Sequence, residues 1–281
     1  MKLDSSNAPN YLPQSEQDSV LRLGFENCDV TDWIYAADDL AVFHRHKLAL
    51  QESLGDRCYA QTPGSMQAQR EFHGFLLKHL TENPGLGYRR AGKPLVHERE
   101  NLSWDITDAN LWSASTWVAE DICILEDTEN NNEYTMTAAS VCSPSNWHLE
   151  EKIGRSVDFI HGPVPGYQSV LGERVNRFLH GLRSGRVMLR YNWSIQSGNE
   201  LCWREEQAPP LNPLGAGGGN HYWRVERQTF LRLPDSRAIV FGIRIFLHSF
   251  ESLRAHAGFD ESLKLLLSRL PDAEKRYKNL A

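Results

Sequence analysis

The sequence lacks the features of a membrane protein or of a nucleic-acid-binding protein. No apolar run approaches the roughly 20 residues that a membrane-spanning helix needs. The polar stretch 1–17 has no apolar middle of the kind found in a signal peptide. The arginines are dispersed instead of forming a basic block, and the formal net charge is −6. We therefore expect a soluble protein that binds neither nucleic acid nor membranes.

Cysteine is scarce, and its spacing excludes a disulfide framework. The chain has five cysteines, an odd number, and no two of them form a C-x-x-C pair. This pattern is typical of proteins kept in a reducing compartment, so we expect a cytoplasmic location.

The common catalytic motifs are absent as well. The sequence contains no G-x-S-x-G, no H-E-x-x-H and no Walker loop. The glycine-rich stretch 215–219 lies in a long loop without a strand before it, so it is not a dinucleotide-binding turn. The chemistry must therefore be sought in other residues.

The first third of the sequence has apolar residues at the spacing of amphipathic helices. Segments 38–54 and 65–80 place apolar residues on one face, and glycine or proline follows each of them. Residues 86–108 mix glycine, proline and charge, which predicts a loop. We therefore expect an N-terminal helical region, residues 1–110, that packs on the rest of the chain.

Alternation of apolar and polar residues predicts strands in the following part of the chain. Amphipathic segments at 147–153 and 167–182 predict a helical connection after the second strand. Because sharp turns join neighbouring strands, the sheet should be antiparallel. The predicted fold is α+β: a PAS-like five-stranded antiparallel sheet over residues 111–250, followed by a helical tail, 251–281. The five predicted strands are 117–125, 134–142, 187–195, 223–233 and 237–247.

His161 lies in the most unusual stretch of the sequence. It precedes Gly-Pro-Val-Pro at 162–165, and the two prolines prevent a helix or a central strand from continuing there. We expect the imidazole to stand at the edge of a rigid extended segment, where it could serve as a metal ligand or bond a backbone carbonyl. A zinc site with Cys142 and His148 is a further alternative, although the spacing matches no standard pattern.

Arginines on the predicted strands suggest an anionic ligand. Arg227 stands on a largely apolar strand face, where its partner could be Glu226, another neighbouring side chain or the carboxylate of a ligand. Arg190, which forms a polar pair with Asn192 on a neighbouring strand, could contribute in the same way. So could Arg174, on the helical segment that follows the prolines. One fixed histidine and two or three convergent arginines would suit the axial position and the two propionates of a haem.

Two aromatic residues on the same predicted strand allow two interpretations. Tyr191 and Trp193 are most simply core residues. Their rings could also attract a small ammonium substrate by cation–π interaction.

Several segments resemble the haem-dependent oxidative N-demethylase α-subunit family. The resemblance covers roughly residues 110–250, with a weaker match in the helical region upstream. The segments that carry it are Trp147 with KIG at 152–154, IHGPVP at 160–165, RYNWSI at 190–195, ERQTFLRLP at 226–234 and AIVFGIRIF at 238–246.

The resemblance implies a PAS-like fold that holds haem b, with His161 as the axial iron ligand. It implies oxidative demethylation of a small secondary amine such as dimethylamine, which consumes oxygen and yields formaldehyde. Electrons would come from NAD(P)H through a separate reductase that carries flavin and an iron–sulfur cluster. Carried over to this chain, the cofactor-binding residues are His161, Lys152, Arg174, Arg190 and Arg227, and the catalytic residues are His161, Tyr191 and Trp193.

Two other functions fit the same sequence. A PAS-like domain can bind haem or another small ligand as a sensor without turnover. The chain could also be a haem-free structural partner in a larger assembly.

Overall fold

The computed structural model describes residues 23–36, 38–128, 133–204, 210–215 and 220–280. Most of the glycine-rich stretch at 215–219 and all of the polar stretch 1–17 lie outside these residues. No helix in the described ranges is long and apolar enough to cross a bilayer.

The described residues form ten strands in two antiparallel sheets. In chain order, the strands are β1 (Glu26–Cys28), β2 (Tyr59–Gln61), β3 (Tyr88–Arg90), β4 (Leu95–His97), β5 (Leu102–Trp104), β6 (Asp121–Glu126), β7 (Thr135–Ser140), β8 (Val187–Ser197), β9 (His221–Arg232) and β10 (Ile239–Ser249).

Ten α-helices surround the sheets in the described part of the chain. They are α1 (Leu40–Leu54), α2 (Met66–Glu82), α3 (Leu111–Ser115), α4 (Leu149–Lys152), α5 (Val157–His161), α6 (Tyr167–Val170), α7 (Gly172–Gly181), α8 (Phe250–Leu253), α9 (Phe259–Arg269) and α10 (Asp272–Tyr277).

The main sheet has seven strands in the order β1-β8-β9-β10-β6-β7-β2. Its five central members are the five predicted strands, so the α+β class and the antiparallel pairing are confirmed. The predicted count of five was too small, because β1 and β2 extend the two edges. Each of these edge strands has three residues, too few to show an alternating pattern.

The segment 86–108 was wrongly predicted as a loop. It contains β3, β4 and β5, which form a separate three-stranded antiparallel sheet. Each of these strands also has only three residues, so glycine, proline and charge dominate the sequence pattern. The predicted helix at 167–182 is likewise divided into α6 and α7, with Leu171 between them.

The two faces of β8 and β9 contact different helices. We call one face the α7 face; on β8 and β9 it carries the even-numbered residues, which include Met188 and Phe230, packed near α7. We call the other the α2 face; there it carries the odd-numbered residues, which include Val187 and Leu231, packed with α1 and α2. Strand alternation therefore places successive residues of β8 in separate environments.

Helix α2 illustrates how the predicted spacing produces the core. Phe72, Leu76 and Leu80 recur every fourth residue, and all three are fully buried. They pack in one apolar cluster with Trp33 and with Val240 of β10. The N-terminal helices α1 and α2 therefore cover the α2 face.

Buried Arg244 fixes α1 to the central strand β10. Both carboxylate oxygens of Asp39, immediately before α1, lie 2.6 Å from Nη2 of Arg244. The guanidinium carbon lies 4.1 Å from the ring centre of Phe43 and 4.9 Å from that of Phe246. The cation is thus enclosed by two aromatic rings and neutralised by one carboxylate.

We predict that Arg244→Met lowers the free energy of unfolding by about 3 kcal/mol, because it leaves the Asp39 carboxylate without its buried partner. Urea denaturation measures the change. Arg254→Met is the control, since it removes an ion pair with Asp260 in which both side chains are about two-fifths exposed. The control should cost less than about 1 kcal/mol. Equal losses in the two variants would contradict the role given to Arg244.

His79 should make stability depend on pH. Burial lowers the pKa of His79 from 6.5 to about 4. The unfolded chain therefore binds a proton that the folded chain excludes, so stability is complete above pH 6.5 and falls as the pH decreases toward 4. His79→Phe should reduce the stability lost between pH 7 and pH 5 by about 2 kcal/mol. Denaturation at both pH values measures this, with exposed His256→Phe as control.

Candidate functional site

Helix α5 positions His161 as its last residue. The hydroxyl of Ser156 caps the helix by accepting a hydrogen bond from the amide of Phe159, at 3.2 Å. The expectation that His161 lies at the edge of an extended segment was therefore wrong. The prolines at 163 and 165 lie after the end of this short helix, where they prevent it from continuing.

The His161 ring has one nitrogen engaged and the other available. Nδ1 lies 2.8 Å from the carbonyl oxygen of Val157, one helical turn earlier, and donates its proton there. Within the described residues, Nε2 has no hydrogen-bond partner. Burial is the main cause that lowers the pKa of His161, and Arg190 lowers it further. A neutral imidazole with its lone pair on Nε2 has the electronic form of a metal ligand.

Asp158 holds the surroundings of this ring in place. Its two carboxylate oxygens accept hydrogen bonds from the Tyr167 hydroxyl, at 3.1 Å, and from Asn176 Nδ2, at 3.3 Å. Tyr167 stacks on the His161 ring, with centroids 4.8 Å apart and planes 12° apart. One carboxylate thus links α5 to α6 and α7. This linkage holds the Tyr167 ring against the imidazole and so orients it.

The α7 face of the sheet provides an apolar surface near this helix. Met188, Phe230 and Phe241 are only half-buried there, although they pack against the same apolar cluster as Ile160. Phe230 and Phe241 stack on each other, with ring centroids 4.6 Å apart. Half-exposed aromatic rings are suited to contact with a flat apolar ligand.

A row of polar residues continues the same face along β8 and β9. Glu226 Oε2 accepts hydrogen bonds from Asn192 Nδ2, at 3.1 Å, and from Gln228 Nε2, at 2.8 Å. Arg190 lies in the same row and is largely buried, and its Nε has no hydrogen-bond partner in the described residues. Burial lowers the pKa of Arg190, and Glu226 only partly offsets this. The guanidinium therefore has unused capacity to bind an anion.

Arg227 is not part of this site, because it lies on the α2 face. Its guanidinium donates to the backbone carbonyl of Trp33, at 3.2 Å, and to that of Asp32. The pairing with Glu226, one of the alternatives considered for Arg227, does not occur, since adjacent residues of a strand point to opposite faces. Arg227 instead fixes the segment after β1 to the sheet.

Tyr191 and Trp193 also lie on the α2 face, so the structure does not bring them together with His161. Trp193 stacks on Trp223, with ring centroids 4.6 Å apart. Lys278 Nζ lies 4.0 Å from the ring centre of Trp193 and occupies the position that a cationic substrate would need. Trp193 is thus a core residue, which was the simpler of the two interpretations.

The last two predicted cofactor residues lie on surface helices. Arg174 on α7 is exposed. Lys152, at the end of α4, pairs with Glu151 at 3.4 Å, and its Nζ lies 5.8 Å from the ring centre of Phe159. The zinc alternative has no support, because the described residues contain no group of three or more potential ligands such as Cys142, His148 and His161 together.

The sequence interpretation placed no functional role on Glu226 or Gln228. The signal in the sequence was the alternation along β9, which places both residues on one face of that strand. In the sheet, this is the face on which β8 carries Arg190 and Asn192. Recognising it required the register between two strands that are separated by a long loop, and the sequence does not state that register.

We predict that Arg190→Met raises the pKa of His161, because it removes a neighbouring positive charge from a buried imidazole. Titration of the His161 ring protons by NMR measures the change. Arg174→Met, which removes an exposed arginine of α7, should leave that pKa unaltered. A pKa that stays constant in Arg190→Met would show that the guanidinium does not act on the ring.

Residues 24–281 match the family described as haem-dependent oxidative N-demethylase, alpha subunit-like. The match includes the seven-stranded sheet, α5 with His161 and the polar row of β8 and β9. It also extends over the C-terminal helical region, which the resemblance of separate segments did not cover. The chain therefore belongs to the haem-dependent oxidative N-demethylase alpha subunit-like family.

Proposed function

We propose that the chain is a haem-dependent monooxygenase that removes a methyl group from a small secondary amine of the dimethylamine type. Family membership supports the class of reaction. The observation that carries the proposal is His161, whose Nδ1 is engaged by Val157 while Nε2 is available. Metal-bound histidines commonly use this arrangement, because the second hydrogen bond fixes the ring and its tautomer.

The residues present fit a haem b between α5 and the α7 face of the sheet. His161 would hold the haem iron through Nε2, and the half-exposed rings of Phe230 and Phe241 would contact the porphyrin. Arg190 would bind a propionate through its unused donor capacity. The neighbour order β7-β6-β10-β9-β8 of the central strands supports a PAS-like arrangement of this site.

When bound, the haem would supply the activation of oxygen for attack on the N-methyl group. The protein would orient the amine and exclude water. We assign the first role to Glu226, the carboxylate of the polar row, whose side chain is 19% exposed. Its Oε1 pairs with Nε of Arg224 at 3.8 Å, and its Oε2 accepts the two amide hydrogen bonds. A secondary amine is a cation at neutral pH, and a carboxylate on this face would attract it.

Electrons would come from NAD(P)H through a separate reductase that contains flavin and an iron–sulfur cluster. The family description as an alpha subunit supports the existence of other subunits. The sequence has neither a dinucleotide-binding fingerprint nor a C-x-x-C pair, which agrees with such a division.

We predict that His161→Ala loses the Soret absorption of the haem-loaded protein, because the variant removes the axial ligand. Exposed His256→Ala is the matched control and should keep the full spectrum. Haem titration followed by absorption spectroscopy makes the comparison. Full haem binding by His161→Ala would refute the ligand assignment.

The reaction itself is tested with haem-loaded protein, dimethylamine, oxygen and a surrogate electron donor of NADPH, ferredoxin reductase and ferredoxin. We expect formaldehyde that requires every component. Glu226→Gln should raise the KM for the amine more than it lowers kcat, because it removes the charge and keeps the shape. A spectral response to ligands without formaldehyde would instead support the haem sensor function.

A further inference from the structure

Positive charge is concentrated in the segment 152–190, which contains α5, α6, α7 and the start of β8. The segment has seven lysines and arginines and two acidic residues, which gives it a net charge of +5. The whole chain carries −6, so all the other residues together carry −11. Such a separation of charge creates a local positive field on a protein that is otherwise acidic.

Most of this positive charge is exposed on the outer side of the helices. Val175, Phe178 and Leu179 of α7 pack toward the sheet, so the helix presents its arginines to water. Arg174 and Arg177 are three positions apart, which makes them neighbours on the surface of a helix. We give the name basic surface to the five exposed arginines of the segment, which are Arg155, Arg174, Arg177, Arg183 and Arg186.

The basic surface is not neutralised by carboxylates in the described part of the chain. None of its five arginines forms an ion pair there. Asp158, one of the two acidic residues of the segment, instead accepts hydrogen bonds from Tyr167 and Asn176. Because a guanidinium binds a carboxylate through two parallel hydrogen bonds, such a surface is complementary to a partner rich in Asp and Glu.

An exposed aromatic ring lies beside these charges. Phe159 of α5 is 54% exposed, the largest fraction among the exposed large apolar side chains of the described residues. The guanidinium carbon of Arg155 lies 5.0 Å from its ring centre, and Nζ of Lys152 lies 5.8 Å from it. Aromatic residues and arginine are enriched in protein–protein interfaces and in their energetic centres. Phe159 therefore has the properties of an apolar anchor within a charged contact.

The basic surface is adjacent to the proposed haem site. Phe159 and His161 belong to the same short helix, and Asp158 links that helix to α7 through Asn176. A protein that binds the outer side of α5 and α7 would be separated from the haem by only one layer of helix. The apolar side of α7 already packs toward the sheet and cannot enter a lipid surface, which favours a protein as the partner.

We propose that the basic surface is the docking site of an acidic iron–sulfur domain that delivers electrons to the haem. Carboxylates of the donor pair with the arginines, and Phe159 forms the apolar centre of the contact. The reduced cluster is oxidised by one electron at a time. Two electrons and two protons reduce one atom of O₂ to water, while the other atom enters the methyl group. This docking site rests on the proposed function, which requires an external electron donor.

Binding is tested first, by NMR titration of the ¹⁵N-labelled full chain with an oxidised, acidic [2Fe–2S] ferredoxin. We expect saturable binding that shifts amide signals of residues 152–190 and weakens at least about tenfold between about 20 mM and about 300 mM NaCl. Reversal of two charges, Arg155→Glu with Arg177→Glu, should weaken it at least about tenfold. The matched control is Arg45→Glu with Arg70→Glu, at exposed positions of α1 and α2. This measurement needs neither haem nor turnover.

Electron transfer is tested with the haem-loaded protein by anaerobic stopped flow. Reduced ferredoxin should reduce the haem of the Arg155→Glu, Arg177→Glu variant at least about tenfold more slowly than that of the unaltered chain or of the control. Photoreduced deazariboflavin, a small uncharged donor, should reduce all three at equal rates. If the protein reduced in this way makes no formaldehyde from dimethylamine and oxygen, the proposed function fails, whereas the docking site is still decided by ferredoxin binding and haem reduction.

Other classes of partner are separate outcomes of the same comparison. Vesicles that contain phosphatidylserine and a DNA duplex are titrated as competing anionic surfaces, and circular dichroism checks that each variant is folded. Ferredoxin should bind more tightly than either. The proposal is overturned if ferredoxin does not bind saturably, if the variant with two reversed charges binds it and accepts its electrons as the unaltered chain does, or if vesicles or DNA bind at least as tightly.

Discussion

Buried arginines on β9 and β10 hold the covering segments against both faces of the sheet. Arg227 binds carbonyls after β1, and Arg244 binds Asp39 before α1. On the other face, Arg232 Nε donates to the carbonyl of Leu182 after α7, at 2.7 Å, while Nη2 donates to the Tyr134 hydroxyl, at 2.8 Å. A guanidinium can serve several acceptors in one plane, so a single side chain fixes a whole segment. The helices that form the site depend on these connections for their placement.

Around His161, the candidate haem ligand, a few contacts likewise fix the position of several groups. The carbonyl of Val157 fixes the tautomer of His161, and the Tyr167 ring fixes its plane. Asp158 then determines where Tyr167 and α7 can lie. The direction of the free nitrogen is therefore set by a short helix and one carboxylate. Neighbouring residues in the sequence provide most of this arrangement.

The sequence predicted the long helices and strands but missed the features that depend on which strands pair with each other. Alternation identified β8, β9 and β10, and apolar spacing identified α1 and α2, because these elements are long enough for a period to be seen. The edge strand β2 could not be found, since its three residues gain their conformation from β7. In the described residues Nε2 of His161 has no hydrogen-bond partner, and the role of His161 as a haem ligand stays a prediction. The sequence left the partner of Arg227 open between a neighbouring side chain and a ligand carboxylate, and it could not show that this guanidinium donates to two backbone carbonyls.

The alternation of β8 has a consequence for how the chain tolerates change. Arg190 belongs to one surface and Tyr191 to another, and only the thickness of the strand separates them. A substitution at Arg190 therefore alters the α7 face alone, and a substitution at Tyr191 alters the α2 face alone. A one-residue insertion in this strand would exchange the two surfaces at once and abolish both.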